Sequence, residues 1–186
     1  KQNVLSTTVT DGTGEITTST QTVTIEDNED PTIVTLSAIS VDSDAGVCTY
    51  ASSQLTAPDT TDNCSVASVI ASPASLSLGS NSVTWTVTDG SGNTNTSTQT
   101  VTIEDNEDPT IVTLGDITLD SDAGVCTYAS SQLTAPDTTD NCTVASVIAS
   151  PASLSLGSNS VTWTVTDGAG ITETSTKTVT IENNIE

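Results

Sequence analysis

Along Asn81-Ser-Val-Thr-Trp-Thr-Val-Thr-Asp89, Val83, Trp85 and Val87 alternate with Thr84, Thr86 and Thr88. A period of two puts the apolar side chains on one face of a strand and the threonines on the other, and the β-branched residues suit such a pleated, half-buried surface. The same reading predicts strands over 31–42, 47–55, 65–72, 75–78, 82–89 and 94–104. Between them, Asp44-Ala-Gly46, Ala57-Pro-Asp-Thr-Thr-Asp-Asn63, Leu78-Gly-Ser-Asn81 and Asp89-Gly-Ser-Gly-Asn93 are loop sequences by residue type. No window carries a sustained helical stripe, and Pro, Gly, Ser and Asn interrupt the chain too often for long helices.

The pattern repeats. Asp30-Pro-Thr-Ile33 returns as Asp108-Pro-Thr-Ile111, Cys48 as Cys126, Cys64 as Cys142 and Trp85 as Trp163, an offset of 78 residues (108 minus 30). Only 11 of these 78 positions change, among them Ser37 to Gly115, Ala38 to Asp116, Asn93 to Ile171 and Gln99 to Lys177. Residues 1–29 fit the same register, because Val9-Thr-Asp-Gly12 aligns with Val87-Thr-Asp-Gly90 and Val23 to Asp30 with Val101 to Asp108. Three segments are therefore expected: 1–29 as the closing strands of a preceding copy, 30–107 as a complete repeat and 108–186 as another. The chain is expected to be a piece of a longer protein. Six or seven short strands per repeat predict an all-β fold of tandem immunoglobulin-like β-sandwich repeats arranged end to end as a rod, with each Trp between the sheets.

Composition sharpens this picture. Of 186 residues, 33% are hydrophobic and the only aromatics are Trp85, Trp163, Tyr50 and Tyr128, which favours several thin cores over one large one. Acidic residues number 24 against two basic ones, Lys1 and Lys177, for a net charge of -22. Nucleic acid and anionic membranes are excluded as partners, since both demand Lys or Arg facing phosphate. No apolar run is long enough to cross a bilayer as a helix, so no membrane insertion by these residues is expected.

The acids are not scattered. Glu26-Asp-Asn-Glu-Asp30 and Glu104-Asp-Asn-Glu-Asp108 place four carboxylates in five residues at each repeat junction. Sandwich topology puts the second-to-third-strand loop and the last hairpin at the same pole. The candidate ligand set is thus Asp27, Glu29, Asp30, Asp59, Asp62 and Asp89 at one junction, and Asp105, Glu107, Asp108, Asp137, Asp140 and Asp167 at the next. Oxygen donors in an irregular cluster suit Ca2+, which takes six to eight oxygens, and the absence of His leaves zinc and copper poorly served. The plainer alternative is a solvated acidic surface. At the C-terminus Asn183 and Ile185 replace an Asp and a Glu, so a third equivalent site should be weaker.

Four cysteines allow three pairings, and repetition favours Cys48 with Cys64 and Cys126 with Cys142 in an oxidising compartment. That pairing carries a geometric difficulty: if Cys48 opens a straight strand and Cys64 follows the next loop, the two lie too far apart unless the chain folds back. Free buried thiols are the alternative. An enzyme is not expected, for there is no His, no Gly-x-Ser-x-Gly and no phosphate-cradling loop.

Asp27-x-x-x-Pro31, Asp44-Ala-Gly-Val-Cys48, Thr61-Asp-Asn-Cys64, Val83-Thr-Trp-Thr-Val-Thr-Asp-Gly-Ser-Gly-Asn93 and Thr100-Val-Thr-Ile103 resemble the hyalin (HYR) repeat over both full copies. Two cysteines usual in that family are missing, one of them where Trp85 and Trp163 stand. Near-identical, acidic, Thr-rich copies resemble in particular the giant gliding adhesins of Bacteroidetes. That resemblance implies export, a cell-surface or extracellular, outer-membrane-associated location, gliding motility and adhesion. The Asp-rich junctions are similar, over a short match, to cadherin linkers stiffened by calcium. Asp59-Thr60-Thr61 and Asp137-Thr138-Thr139 resemble a Bacteroidetes O-glycosylation sequon, which implies sugars on Thr60 and Thr138. The expected partners are neighbouring repeats of the same chain and an extracellular surface, glycan or protein; in an alternative reading, the repeats themselves bind the glycan or protein ligand.

Overall fold

Residues 2–183 are described by a computed structural model, and strands account for nearly all its regular structure. Lys1 and the Ile185 substitution in the last acidic segment lie outside the described residues. In chain order the strands are β1 (Gln2–Thr10), β2 (Ile16–Thr24), β3 (Thr32–Ile33), β4 (Ile39–Asp42), β5 (Thr49–Ala51), β6 (Thr60–Thr61), β7 (Val66–Ser72), β8 (Ser75–Ser77), β9 (Gly79–Asp89) and β10 (Thr94–Glu104). The second copy continues with β11 (Thr110–Ile111), β12 (Ile117–Asp120), β13 (Thr127–Ala129), β14 (Thr138–Thr139), β15 (Val144–Ser150), β16 (Ser153–Ser155), β17 (Gly157–Asp167) and β18 (Thr172–Glu182). The chain divides into two compact units, Lys1–Ser37 with Ser53–Pro73 and Ser82–Gln99 in one, and Ala38–Ser52 with Ala74–Asn81 and Thr100–Glu186 in the other.

The second copy shows how the sandwich is built. One sheet has the order β12-β18-β17-β15; the facing layer consists of the pairs β11-β14 and β13-β16. β17 and β18 form a long antiparallel hairpin running from Gly157 opposite Ile181 to Thr166 opposite Thr172. Its inward alternation, Val161, Trp163 and Val165 on β17 with Val179 and Ile181 on β18, is buried, and Leu133 and Leu154 close the core from the other layer. At about 25 cal/mol per Å2 of apolar surface, a Trp and a handful of aliphatics make a thin core, as the composition implied. The first copy repeats the strand order as β4-β10-β9-β7, with the two-stranded pairs β3-β6 and β5-β8.

Four expected elements differ: the strand over 47–55 is only Thr49–Ala51 before a 3-10 turn at Ser52–Gln54, and the expected loop Leu78–Asn81 is taken into β9 from Gly79, beside the two differences that follow. The single strand over 31–42 is two, because β3 pairs antiparallel with β6 while β4 runs parallel to β10. The first strand changes sheets, as the edge of a sandwich permits, and residues 34–38 carry it across. The expected loop 57–63 contains β6, where Thr60 and Thr61 complete that short ladder. Thr60 and Thr138 are half-buried in these two-residue strands.

Residues 2–24 form the hairpin β1-β2, and nearly every residue on it is exposed. Val9 is 64% exposed, whereas its counterpart Val87 is 0% exposed. The alternation is the same; the covering layer is not there.

One exchange between the copies leaves a mark in the core. Trp85 Nε1 donates to Gln99 Oε1 at 3.1 Å, and Gln99 Nε2 donates in turn to the Ser37 carbonyl at 3.0 Å. Lys177 takes the place of Gln99 in the second copy, is buried, and offers no acceptor, so the buried indole N–H of Trp163 has no partner. Lys177→Gln is therefore expected to raise the melting temperature, by an amount corresponding to about 1–3 kcal/mol. A fall in melting temperature would show that the lysine satisfies something else.

Candidate metal centre

In each acidic cluster, turns hold one oxygen of two aspartates and leave the other without a hydrogen bond. Asp62 Oδ2 accepts from the backbone N–H of Cys64 at 2.9 Å and of Ser65 at 2.8 Å, an Asx-type turn that fixes the side chain. Its Oδ1 is buried with no hydrogen-bond partner. Asp27 Oδ1 accepts from Glu29 N at 3.2 Å, and its Oδ2 is likewise buried and unpartnered. Asp89, at the end of β9, takes the N–H groups of Ser91, Gly92 and Asn93 on Oδ1 at 2.9, 2.6 and 2.8 Å. Carboxylate oxygens of Asp27, Asp62 and Asp89 lie within 4.8 Å of one another.

Asn93 ties this cluster to the acidic segment. Its Nδ2 donates to Asp89 Oδ2 at 2.6 Å and to the carbonyls of Asp27 and Glu29 at 3.2 and 3.1 Å. Burial pushes the Asp89 carboxyl up, but the Asn93 side chain and the N–H groups of Asn93, Ser91 and Gly92 together outweigh it and hold the group below its ordinary value. Asp89 is therefore an ionised carboxylate at neutral pH, 2% exposed. The exposed Asp11 of the β1-β2 hairpin makes the same turn, accepting from Thr13 and Glu15, so the loop aspartate is a turn-former first and a ligand only where other acids meet it.

The second cluster repeats the turn of the first, with the Cys142 sulfur as third member where the first has Asp89. Asp140 Oδ2 accepts from Cys142 N at 2.9 Å and Thr143 N at 2.8 Å, and Asp140 Oδ1 is buried without a partner. Asp105, 7% exposed, accepts from Asn141 Nδ2 at 3.1 Å on Oδ1 and leaves Oδ2 unpartnered. Asp105, Asp140 and the Cys142 sulfur present atoms within 4.8 Å of one another. Asp167 Oδ1 accepts from Ile171 N at 2.7 Å, and its buried Oδ2 is again an orphan, as is Asn141 Oδ1.

Of the seven buried side-chain atoms without a hydrogen bond among the described residues, four are carboxylate oxygens of these two clusters, and two more are Asn141 Oδ1 and Asp167 Oδ2. Native proteins rarely bury a polar atom without a partner, and an unpaired carboxylate is the most expensive case. Like charges 4.8 Å apart repel by about 1 kcal/mol per pair even at the screening of bulk water, and by more once water is excluded. The donor set is what a hard cation requires.

The structure does not gather every expected ligand. Glu29 is exposed and its Oε2 accepts from Asn63 Nδ2 at 3.0 Å; Glu107 is exposed and its Oε2 accepts from Gly46 N at 2.8 Å. Asp30, Asp59, Asp108 and Asp137 are exposed, and the carbonyls of Asp59 and Asp137 accept from Val34 and Val112 N–H, extending the β3-β6 and β11-β14 pairings. Asn93 acts as a donor that braces the site, consistent with its replacement by Ile171.

The cysteine pairing is corrected. Cys48 is bonded to Cys142, with Cα atoms 4.7 Å apart and 94 positions between them, while Cys64 and Cys126 are free and exposed. Cys48 lies in the loop after β4 and Cys64 in the turn before β7, with β5, a short 3-10 turn and β6 between them in the chain. Cys142, in the turn beside Asp140, sits where Asp105 brings the loop of Cys48 within reach, because Asn141 Nδ2 touches Ser43 Oγ, the Val47 carbonyl and Asp105 at once. The Cys64 thiol is pushed up by its hydrogen bond to Asp27, then by burial and the charges of Asp27, Asp62 and Asp89. A cross-copy bond was not readable from spacing; the only sequence hint was the identical Asp-Ala-Gly-Val-Cys and Asp-Asn-Cys motifs.

No protein-family model and no curated protein matches the sequence. Among solved structures the chain is similar to PcdhgB3 repeats EC1–4, at 11% identity and a TM-score of 0.33, covering 98% of this chain and 57% of that one. It is also similar to Drosophila N-cadherin EC1–4, at 11% identity and a TM-score of 0.44 with 98% and 58% coverage. A third is human mucin-like protocadherin EC1–2, at 10% identity and 0.40, covering 82% and 98%. The chain spans little more than half the length of the first two. Among the described residues no helix is long and apolar enough to cross a membrane.

Proposed function

We propose that this chain is a calcium-stiffened structural segment of a large cell-surface adhesin, its repeats 30–107 and 108–186 serving as stalk modules and not as a catalyst. One observation carries the reading: two clusters 78 residues apart (105 minus 27) each bury carboxylate oxygens that no donor among the described residues satisfies. The ligands would be Asp27, Asp62 and Asp89 in one, and Asp105, Asp140 and Asp167 with Asn141 Oδ1 in the other. Calcium suits them better than magnesium because the oxygens come from unrelated turns and leave room for water. In the second cluster the Cys142 sulfur is committed to its disulfide, which removes a soft donor that would favour zinc there. In the second cluster Asp105 belongs to the acidic segment after β10 and Asp140 to the following copy, so a shared ion would couple consecutive repeats.

The hyalin-repeat motifs and the acidic, Thr-rich repetition support an exported protein resembling the gliding adhesin SprB, with an extracellular surface or glycan as target. Trp85 and Trp163, the residues best suited to stack on a sugar, are buried, which favours stalk over lectin. The test is a calcium titration of the chelator-treated protein by calorimetry, with thermal melts in parallel. Saturable binding and a melting temperature that falls in EDTA and returns with calcium are expected. Identical melts in EDTA and calcium would overturn the reading.

A further inference from the structure

Cys126 is free and exposed, yet the loop that carries it is built for the same use as the loop of Cys48. Ser43 to Cys48 and Ser121 to Cys126 have the same sequence. Ser43 N donates to the Glu104 carbonyl at 2.8 Å and Ser121 N to the Glu182 carbonyl at 2.8 Å. Asp44 N and Asp122 N donate to the carbonyls of Thr49 and Thr127 at 2.7 and 2.8 Å, and both aspartates accept from an alanine N–H, of Ala51 and Ala129, at 3.0 and 3.1 Å. Gly46 and Gly124 take the left-handed conformation, φ +73 and +77. The loop thus holds one shape whether or not its cysteine is bonded.

What occupies that shape at the first loop is known from the same chain. Asn141 inserts its amide between Ser43, Val47 and Asp105, and Cys142 bonds Cys48. At the second loop the corresponding space is an open cleft lined by Ser121, Asp122, Gly124, Val125, Cys126 and Asn183. Asn183 stands where Asp105 stands, and its amide carbonyl can accept the hydrogen bond that Asp105 accepts from Asn141 Nδ2. At the other end, Cys64 follows Asn63 in an Asp-Asn-Cys turn of the same construction as Asp140-Asn141-Cys142, with its thiol free.

We propose that the cleft at Cys126 is a docking site for the Asp-Asn-Cys turn of a further copy of the repeat, ending in an inter-repeat disulfide like Cys48–Cys142. Cys126 is the socket and Cys64 the matching plug, so the pairing has a direction and each repeat offers one of each. The bond forms by thiol–disulfide exchange with a small-molecule or oxidoreductase disulfide. The Cys126 and incoming cysteine thiols lose two protons and two electrons, and the oxidant leaves as two thiols. The cation clusters and this bond are separable, because Asn183 removes a carboxylate from the ligand set without removing the acceptor that the docking turn needs.

The experiment lengthens the full chain by one more copy of residues 109–186, oxidises it with oxidised glutathione, alkylates free thiols with iodoacetamide and maps the bonds by proteolysis and mass spectrometry. The expected map links Cys126 to the appended copy of Cys142 and leaves iodoacetamide on Cys64 and on the appended copy of Cys126. Changing the appended copy of Asn141 to alanine is expected to slow formation of that link about tenfold, the loss of one hydrogen bond of roughly 1.4 kcal/mol. The Cys48–Cys142 bond in the same molecule reports correct folding: if it forms while Cys126 stays alkylated, the proposal is overturned, and it is equally overturned if Cys48 does not pair with Cys142. Repeating the map in EDTA separates the two readings, since an unchanged map with unchanged melts sinks the calcium reading alone.

Discussion

Replacing Cys48 and Cys142 together by serine is expected to lower the stability of the chain by about 4–5 kcal/mol. The bond closes a loop of 94 positions, and the entropy the unfolded chain gains when so long a loop is opened grows with the logarithm of its length. A core of one Trp and a few aliphatics per repeat has little margin against a loss of that size. Denaturant melts should show the midpoint falling, and dithiothreitol should reproduce the fall in the wild type while leaving the double variant unmoved. Cys64→Ser and Cys126→Ser, which break no bond in this chain, should leave the midpoint where it is. A double variant as stable as the wild type would mean that the turn of Asp140 is held against the loop of Cys48 by its hydrogen bonds alone.

Asp140→Asn should change sign with the medium. In EDTA the substitution removes one of several crowded negative charges while keeping an oxygen to accept from Cys142 and Thr143 N–H, so stability is expected to hold or rise by about 1 kcal/mol. In calcium the wild type gains about 4 kcal/mol at a thousandfold excess over the dissociation constant, and the variant forfeits most of the share due to this cluster. The curves of the two proteins should therefore cross as calcium is added. A variant that follows the wild type at every calcium concentration would show that Asp140 holds no ion and is only the anchor of its turn.

The strands were largely legible because their determinants are local. Val83, Trp85 and Val87 alternate with threonines, and the structure buries those three on one face. Gly and Asn turns end β9 and begin β10 where the sequence places them. β6 was missed because two threonines in a polar loop become a strand only when Thr32 and Ile33 arrive beside them, a pairing 29 positions away that no local pattern announces. The acids at the junctions were visible as a set, but not which of them meet. Asp27, Asp62 and Asp89 face one another because two are fixed by turns and the third ends a strand, while Glu29 and Glu107, on longer side chains, accept instead from Asn63 and Gly46.

By itself the sequence determined the repeat, the period of two, the turn positions and the acid excess, all of which depend on residues within a few positions of one another. The tertiary structure decided what those residues touch. Val9 and Val87 sit in the same motif, yet one is exposed and the other buried, because burial depends on whether a second layer covers the strand. Cys64 and Cys142 are repeat equivalents as well, yet only Cys142 has a partner, because a disulfide needs two Cα atoms within a few ångströms and folding alone sets that distance.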